Sequence, residues 1–247
     1  MWWWMPSFAE ALLEWCYPRR CVGCGRFSRQ ALCELCRLLL PKIKPPACRR
    51  CGAPQEAVEC PYCHTQRYAF DEAVCACAYE PPLRPAITHL KFRRWLRGVP
   101  VLGAVVAEAL SHPSRGALLR QADCIVPMPI HPRRRALRGF NQAEEIARVV
   151  AADLGVPLET GAVRRRFYRR SQVGLDAEAR WRNIAGAFEV CAPERIQGKF
   201  VLLLDDVFTT GSTFNACATA LKAAGARYVV AVAVARELLA LPQEDTV

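Results

Sequence analysis

Two carboxylates followed by a run of hydroxyls, Asp205 and Asp206 and then Thr209, Thr210, Ser212 and Thr213 around Gly211, have the types and spacing to do chemistry. Loop amides in such a bend, together with the positive end of a following helix, converge on one point and make an anion site. The hydroxyls add donors for a phosphate. The adjacent acids would repel that phosphate and need another partner. A ribose, whose vicinal hydroxyls donate to carboxylates, meets the need, so the ligand class implied is a sugar phosphate. The alternative, an ordinary strand–turn–helix junction with solvated acids, explains Asp-Asp followed by Thr-Thr-Gly poorly. No P-loop or dinucleotide glycine pattern occurs elsewhere.

A second set is made of thiols. Cys21 and Cys24 are followed, after eight intervening residues, by Cys33 and Cys36, and the same spacing recurs in Cys48, Cys51, Cys60 and Cys63. A C-x-x-C pair brings two thiolates to one ion from a tight turn, and two pairs complete a tetrahedral site of four thiolates around zinc. Two structural zinc ions are expected, without open positions for substrate and supplying most of the folding free energy of a short polar region. Pairing of the first C-x-x-C with the third stays open, and His64 is read as a spectator. The remaining cysteines, Cys16, Cys75, Cys77, Cys124, Cys191 and Cys217, are expected to be small buried residues.

The elements that must hold these groups follow from periodicity. Residues 201–204 are apolar without interruption, as in a strand buried on both faces, and the acids sit where it runs out. The Ala-rich run 215–224 is the helix after the bend. Upstream, residues 70–79 read as a strand, 83–97 as an amphipathic helix with Leu83, Ile87, Leu90 and Trp95 inward, and 98–110 as further helix. Residues 112–116 look like a linker. Strands at 124–127, 186–190 and 228–235 and a helix at 141–154 complete an α/β alternation with a parallel sheet, whose ligands gather at the carboxyl ends.

Residues 127–132 follow one such strand and lead into Arg133-Arg134-Arg135-Ala136-Leu137-Arg138-Gly139-Phe140-Asn141-Gln142. Arginines around a glycine ahead of a helix form a second anion site, suited to a pyrophosphate. His131 is either part of it or a solvated turn residue. Between Arg164 and Phe188 lies a polar stretch with Gln172, Arg180 and Asn183, read as a lid or as a surface excursion.

The chain has 247 residues and a net charge of +11, clustered in Arg-rich blocks interleaved with Phe92, Trp95, Phe167, Tyr168 and Trp181. Cations tracking phosphates beside rings that stack on bases suit single-stranded nucleic acid; a solvated basic face that also binds pyrophosphate is the other reading. No apolar run reaches the roughly 18 residues of a membrane span. The start, with Trp2, Trp3 and Trp4, lacks the basic region and cleavage site of a signal peptide, so a cytoplasmic protein is expected. That start is read as packing against the protein or docking a partner.

The thirteen residues Val201-Leu202-Leu203-Leu204-Asp205-Asp206-Val207-Phe208-Thr209-Thr210-Gly211-Ser212-Thr213 resemble the phosphoribosyl pyrophosphate (PRPP) signature of type I phosphoribosyltransferases. Together with the cysteine units, the Arg138-Gly139-Phe140-Asn141-Gln142 segment and the Gln172, Arg180, Asn183 stretch, in this order, the chain resembles the ComF family. The resemblance implies an α/β, parallel-sheet phosphoribosyltransferase fold preceded by a small zinc-ribbon module with four-cysteine sites. It implies boundaries near 1–20 for an N-terminal helical segment, 21–66 for a double zinc ribbon, 67–116 for a connection, 117–240 for the main domain and 241–247 for a tail. PRPP would be bound by Asp205, Asp206, Val207, Thr209, Thr210, Gly211, Ser212 and Thr213. Its pyrophosphate would meet His131, Arg133, Arg138, Gly139, Phe140, Asn141 and Gln142, with Mg2+ bridging ligand oxygens. Asp205, Asp206 and Arg138 are the candidates for catalysis if turnover occurs, and Gln172, Arg180 and Asn183 form the flexible loop. The family's link to competence implies handling of single-stranded DNA and a protein partner such as a helicase. An active transferase with an unknown acceptor and a PRPP-responsive zinc adaptor are the alternatives.

Overall fold

A computed structural model describes residues 18–55, 59–63, 66–114, 119, 121–166 and 186–238. A short helix α1 (Glu34–Leu38) lies within the cysteine-rich region. Strand β1 (Glu72–Ala78), helix α2 (Leu83–Arg93) and helix α3 (Val99–Leu110) follow. Then come β2 (Cys124–Pro127), α4 (Pro132–Arg138), α5 (Gln142–Leu154), β3 (Val163–Arg165) and β4 (Phe188–Val190). The last described elements are β5 (Phe200–Phe208), α6 (Ser212–Ala223) and β6 (Tyr228–Arg236).

Four strands form one parallel sheet in the order β1-β6-β5-β2. Their near-total burial explains why they read as unbroken apolar runs rather than as alternating ones. Helices α3 and α5 pack on each other and on the sheet. Gly103 permits that approach, because a Cβ there would lie 2.5 Å from the Val149 side chain. Helix α6 packs on β5 and β6. Residues 72–110 thus contribute a strand to the sheet and part of its helical cover. The outer edge of β1 is closed by the cysteine-rich region, with Ile43 N donating to Ala76 O at 2.9 Å and Ala73 N to Arg49 O at 2.7 Å. An open edge is thereby covered.

Four sequence expectations need correction. The acids do not lie beyond the strand: β5 runs on to Phe208, because the ladder to β6 continues through Asp205↔Ala233 and Phe208↔Arg236. The expected helix at 83–97 stops at Arg93, since Arg94 is left-handed (φ 56) and caps it, and the Trp95 ring instead lies tilted against His89 at 4.4 Å. The strand at 188–190 is not in the parallel sheet but pairs antiparallel with β3, where Arg164 and Glu189 form a cross-strand ion pair at 2.9 Å. Finally, Cys75, Cys77, Cys124 and Cys217 are buried as expected, but Cys191 is exposed, just beyond β4 and outside the core.

Candidate functional site

The carboxyl ends of β5 and β2 lie side by side, and the loops leaving them carry most of the expected site residues. The first of these loops is short. Thr209 and Thr210 lead to Gly211, the N-cap of α6, and Ser212 and Thr213 are its first helical residues, so the helix begins three residues earlier than its alanines indicate. Gly211 has φ +79, and a Cβ there would lie 2.7 Å from both the Phe208 and Tyr68 rings. Both conformation and space demand glycine. Thr210 Oγ1 donates to Ser212 Oγ at 3.0 Å, which joins these two hydroxyls across the bend.

Asp206 is buried and forms an ion pair with Lys91 of α2, Nζ to Oδ1 at 2.9 Å. Burial is the largest influence on the lysine and pulls it toward its neutral form, but the charge and hydrogen bond of Asp206, with the charge of Asp205, together outweigh it and leave the ammonium pKa raised. The other oxygen, Asp206 Oδ2, is buried without a hydrogen-bond donor among the described residues. A buried carboxylate oxygen with no partner is costly and awaits one. The Asp205 carboxyl accepts from Asp206 N at 2.8 Å, and burial followed by repulsion from Asp206 raises its pKa to about 7. Val207 is half-buried and pairs with Ala235.

The second loop follows β2. His131 caps α4, its Nδ1 accepting from Arg133 N at 3.1 Å, and desolvation and then Arg133 lower its pKa. Arg133 is exposed on the first turn of α4. Arg138 ends α4, donates to Gln142 Oε1 at 2.9 Å and lies over the Phe92 ring at 5.5 Å. Burial lowers its pKa, while the charges of Asp206 and Asp205 oppose that shift, which puts the guanidinium in the field of the acidic pair. Gly139 is the left-handed cap (φ +80), and a Cβ would meet Arg94 Nη2 at 2.8 Å. Phe140 is buried. Asn141 is the N-cap of α5 and ties back to Met128 O at 3.1 Å, so Asn141 and Gln142 hold the loop's shape. Gln172, Arg180 and Asn183, like His64 and the Trp-rich start, lie outside the described residues.

Sequence reasoning missed Lys91, Arg165, Tyr68 and Arg236. Lys91 left a signal: it falls four residues after Ile87, toward the side of α2 that buries Leu83, Ile87 and Leu90, where a lysine needs a carboxylate. Arg165 of β3 also feels Asp205, although burial is the main influence on it and lowers its pKa. Tyr68 and Arg236 left none, because they act through tertiary contacts.

The thiols form two separate sets, Cys21, Cys24, Cys33 and Cys36, and Cys48, Cys51, Cys60 and Cys63, with ligand atoms within 4.8 Å of one another in each. This closes the question of pairing across the repeats. Sulfurs 3.8 Å apart (Cys24–Cys33) and 3.6 Å apart (Cys48–Cys63, Cys51–Cys60) fit the ~3.8 Å that four Zn–S bonds of about 2.3 Å would impose. Thiols this close cannot all ionise together without a cation. The Cys51 thiol lowers Cys48 to about 4, and burial pushes Cys63 up to about 12. A divalent ion would relieve that conflict by ionising all four.

Residues 12–65 match the double zinc ribbon domain family. The chain is 31% identical over 214 residues to the DNA utilization protein YhgH of Escherichia coli K12, covering 80% of this chain and 93% of that one. The chain belongs to the ComF family. It is also 28% identical over 223 residues to Competence protein F of Haemophilus influenzae, covering 88% of this chain and 96% of that protein. ComF membership accounts for the order of the parts: two four-cysteine zinc-binding sites, then a parallel α/β sheet. Among solved structures, glutamine PRPP amidotransferase from B. subtilis is similar at TM-score 0.36 and 20% identity, covering 54% of this chain and 25% of that one. A purine phosphoribosyltransferase from Pyrococcus horikoshii gives TM-score 0.33 and 20% identity, covering 56% and 71%. At this level the likeness transfers neither ligand nor activity, and the sheet stands on its own strand pairing. Among the described residues no helix is long and apolar enough to cross a membrane.

Proposed function

We propose that this ComF-family chain binds Mg2+-PRPP at the carboxyl ends of β5 and β2 and handles single-stranded DNA on an adjoining basic cleft. The observation that supports the first part best is Asp206 Oδ2, a buried acceptor without a donor among the described residues, at the head of a hydroxyl-lined left-handed bend. Ribose hydroxyls would donate to Asp206 and Asp205. The 5′-phosphate would take the first amides of α6 and the hydroxyls of Thr209, Thr210, Ser212 and Thr213. Arg138 would face the pyrophosphate, and Lys91 would hold the Asp206 carboxyl aligned through its 2.9 Å ion pair. Mg2+ would supply neutralising charge on the pyrophosphate, and the oxygen-rich acidic pair beside it suits a hard cation.

The DNA reading rests on a cleft of about 560 Å³ lined by Arg19, Arg20, Arg94, Trp95 and Arg97 among others. Arg20 stacks over the exposed Phe27 ring at 4.4 Å, and Phe92 is exposed beside Arg138. Cations interleaved with rings are what a single strand needs. Arg94 belongs to the cleft and also touches the Gly139 loop, so the two sites share a wall.

Thermal denaturation with Mg2+-PRPP tests the first part. Stabilisation should vanish in Asp205→Asn/Asp206→Asn; unchanged stabilisation rejects the ribose assignment. Single-strand binding should weaken steeply with salt, and flat salt dependence rejects the second part. Pyrophosphate release in the same mixtures decides whether turnover accompanies binding.

A further inference from the structure

The bend that opens α6 is not shaped by β5 and α6 alone. Arg236, the last residue of β6, is 2% exposed, and its Nη1 donates to Thr209 O at 2.6 Å and Phe208 O at 3.2 Å. One guanidinium nitrogen therefore ties the backbone just ahead of Gly211. The same guanidinium lies over the Phe208 ring at 4.9 Å and over the Tyr62 ring at 5.8 Å. Tyr62 stands between Cys60 and Cys63, inside the second cysteine set. Past that set, Tyr68 donates from its hydroxyl to Thr210 O at 3.4 Å, and Ala69 N donates to Asn215 Oδ1 at 2.7 Å on the first turn of α6. Tyr68 also stacks on Phe70 and meets the edge of Phe208, which stacks on Phe214. The wall of the bend is thus the chain within and just beyond the second cysteine set.

The first set has no such contact among the described residues. It leans on α2 and the turn after it, through Val22 O to His89 Nδ1 at 3.0 Å and Arg97 to Arg29 O at 2.9 Å.

We propose that Tyr62 and Arg236 are positioning residues through which the second four-cysteine site fixes the Phe208–Ser212 backbone, so that metal at this site, and not at the first, sets how tightly the bend holds its phosphate ligand. The inference rests on the PRPP reading for its ligand but on these hydrogen bonds and ring contacts for its coupling. A ring at position 62 is what matters: it covers the guanidinium face and keeps Nη1 aimed at the two carbonyls. Loss of the metal frees the Cys60–Cys63 turn and removes that cover.

The test uses the full chain with both zinc ions. Tyr62→Leu should retain two zinc equivalents, speed amide exchange at residues 209–212 by at least tenfold, and weaken Mg2+-PRPP by a similar factor. Tyr62→Phe should restore both. Cys60→Ser should reproduce the loss at one equivalent fewer, whereas Cys24→Ser should keep ligand affinity within about threefold of wild type. Wild-type exchange and affinity in Tyr62→Leu overturn the proposal, as does equal loss in the two cysteine variants. If the wild-type chain binds no PRPP, the ligand reading fails and the exchange measurement alone decides the coupling.

Discussion

Two cysteine sets with identical internal spacing differ in their burial and in what surrounds them. All four thiols of the second set are buried, while Cys24 of the first is exposed and Cys33 only partly covered. The glycines after the equivalent cysteines show the contrast in one atom. Gly25 and Gly52 share a left-handed backbone, φ +74 and +70, but a Cβ on Gly25 would meet nothing within 4 Å. On Gly52 it would lie 2.6 Å from Cys75 Sγ in the middle of β1. The spacing makes each a metal site. The neighbours make one a peripheral knuckle and the other part of the sheet's support.

The largest effect that could break this comparison is at those glycines. Gly25→Ala should cost about 1 kcal/mol, from the left-handed backbone alone. Gly52→Ala adds a clash with a packed strand and should cost about 3 kcal/mol or more in urea denaturation. Equal costs would make the two sets equivalent.

Next in size is Lys91→Met. It leaves Asp206 buried without its cation, and the native state should lose about 3 kcal/mol. Adding Asp206→Asn should recover most of that loss; a double variant no better than the single would show that Lys91 serves α2 and the neighbouring first set rather than the acid.

Zinc release separates the sets kinetically. A chromogenic chelator should extract one equivalent at least tenfold faster than the other, and the fast phase should disappear in Cys24→Ser. A single phase of two equivalents contradicts unequal burial.

The smallest effect is pH dependence of ligand affinity through Asp205. Its carboxyl is faced by Asp206 on the same strand, Lys91 of α2, Arg138 of α4, Arg165 of β3 and Cys217 of α6. With its pKa raised to about 7, the carboxyl is protonated below that pH and cannot accept from both ribose hydroxyls. PRPP affinity should therefore rise severalfold between pH 6 and 8, less steeply in Asp205→Asn. The ligand-free protein has the opposite slope: the native state holds the proton longer than the unfolded chain, so ionisation of Asp205 erodes stability as pH rises from about 4 to 7. An affinity curve with the same slope in Asp205→Asn assigns the dependence to the ligand's own phosphates.

Much of the fold is legible in the sequence where the cause is local. Apolar runs without alternation mark β2, the first half of β5 and β6, since strands covered on both faces leave no polar positions. Asn141 marks the start of α5 because its side chain caps Ala143 N at 3.1 Å. The end of β5 is not legible, because carboxylates look like a strand terminus until pairing with β6 is known. The placement of β4 is not legible either, because three residues carry no sign of which partner they take. Within the site, the bend and the Arg138–Gln142 segment are readable, whereas Lys91, Tyr62, Tyr68 and Arg236 come from distant parts of the chain.

By itself, the sequence determined the donor chemistry: eight thiols at metal-binding intervals, two adjacent acids, hydroxyls around a glycine, and arginines ahead of a second helix. Those are properties of neighbours along the chain, and short-range geometry enforces them. Only the tertiary structure decided that Asp206 is paired on one oxygen and has no donor to the other among the described residues, that burial and Asp206 raise the Asp205 pKa, and that the chain of the second cysteine set lies against the bend. Burial and charge pairing depend on which segments the sheet brings within a few ångströms, and no spacing along the chain specifies that.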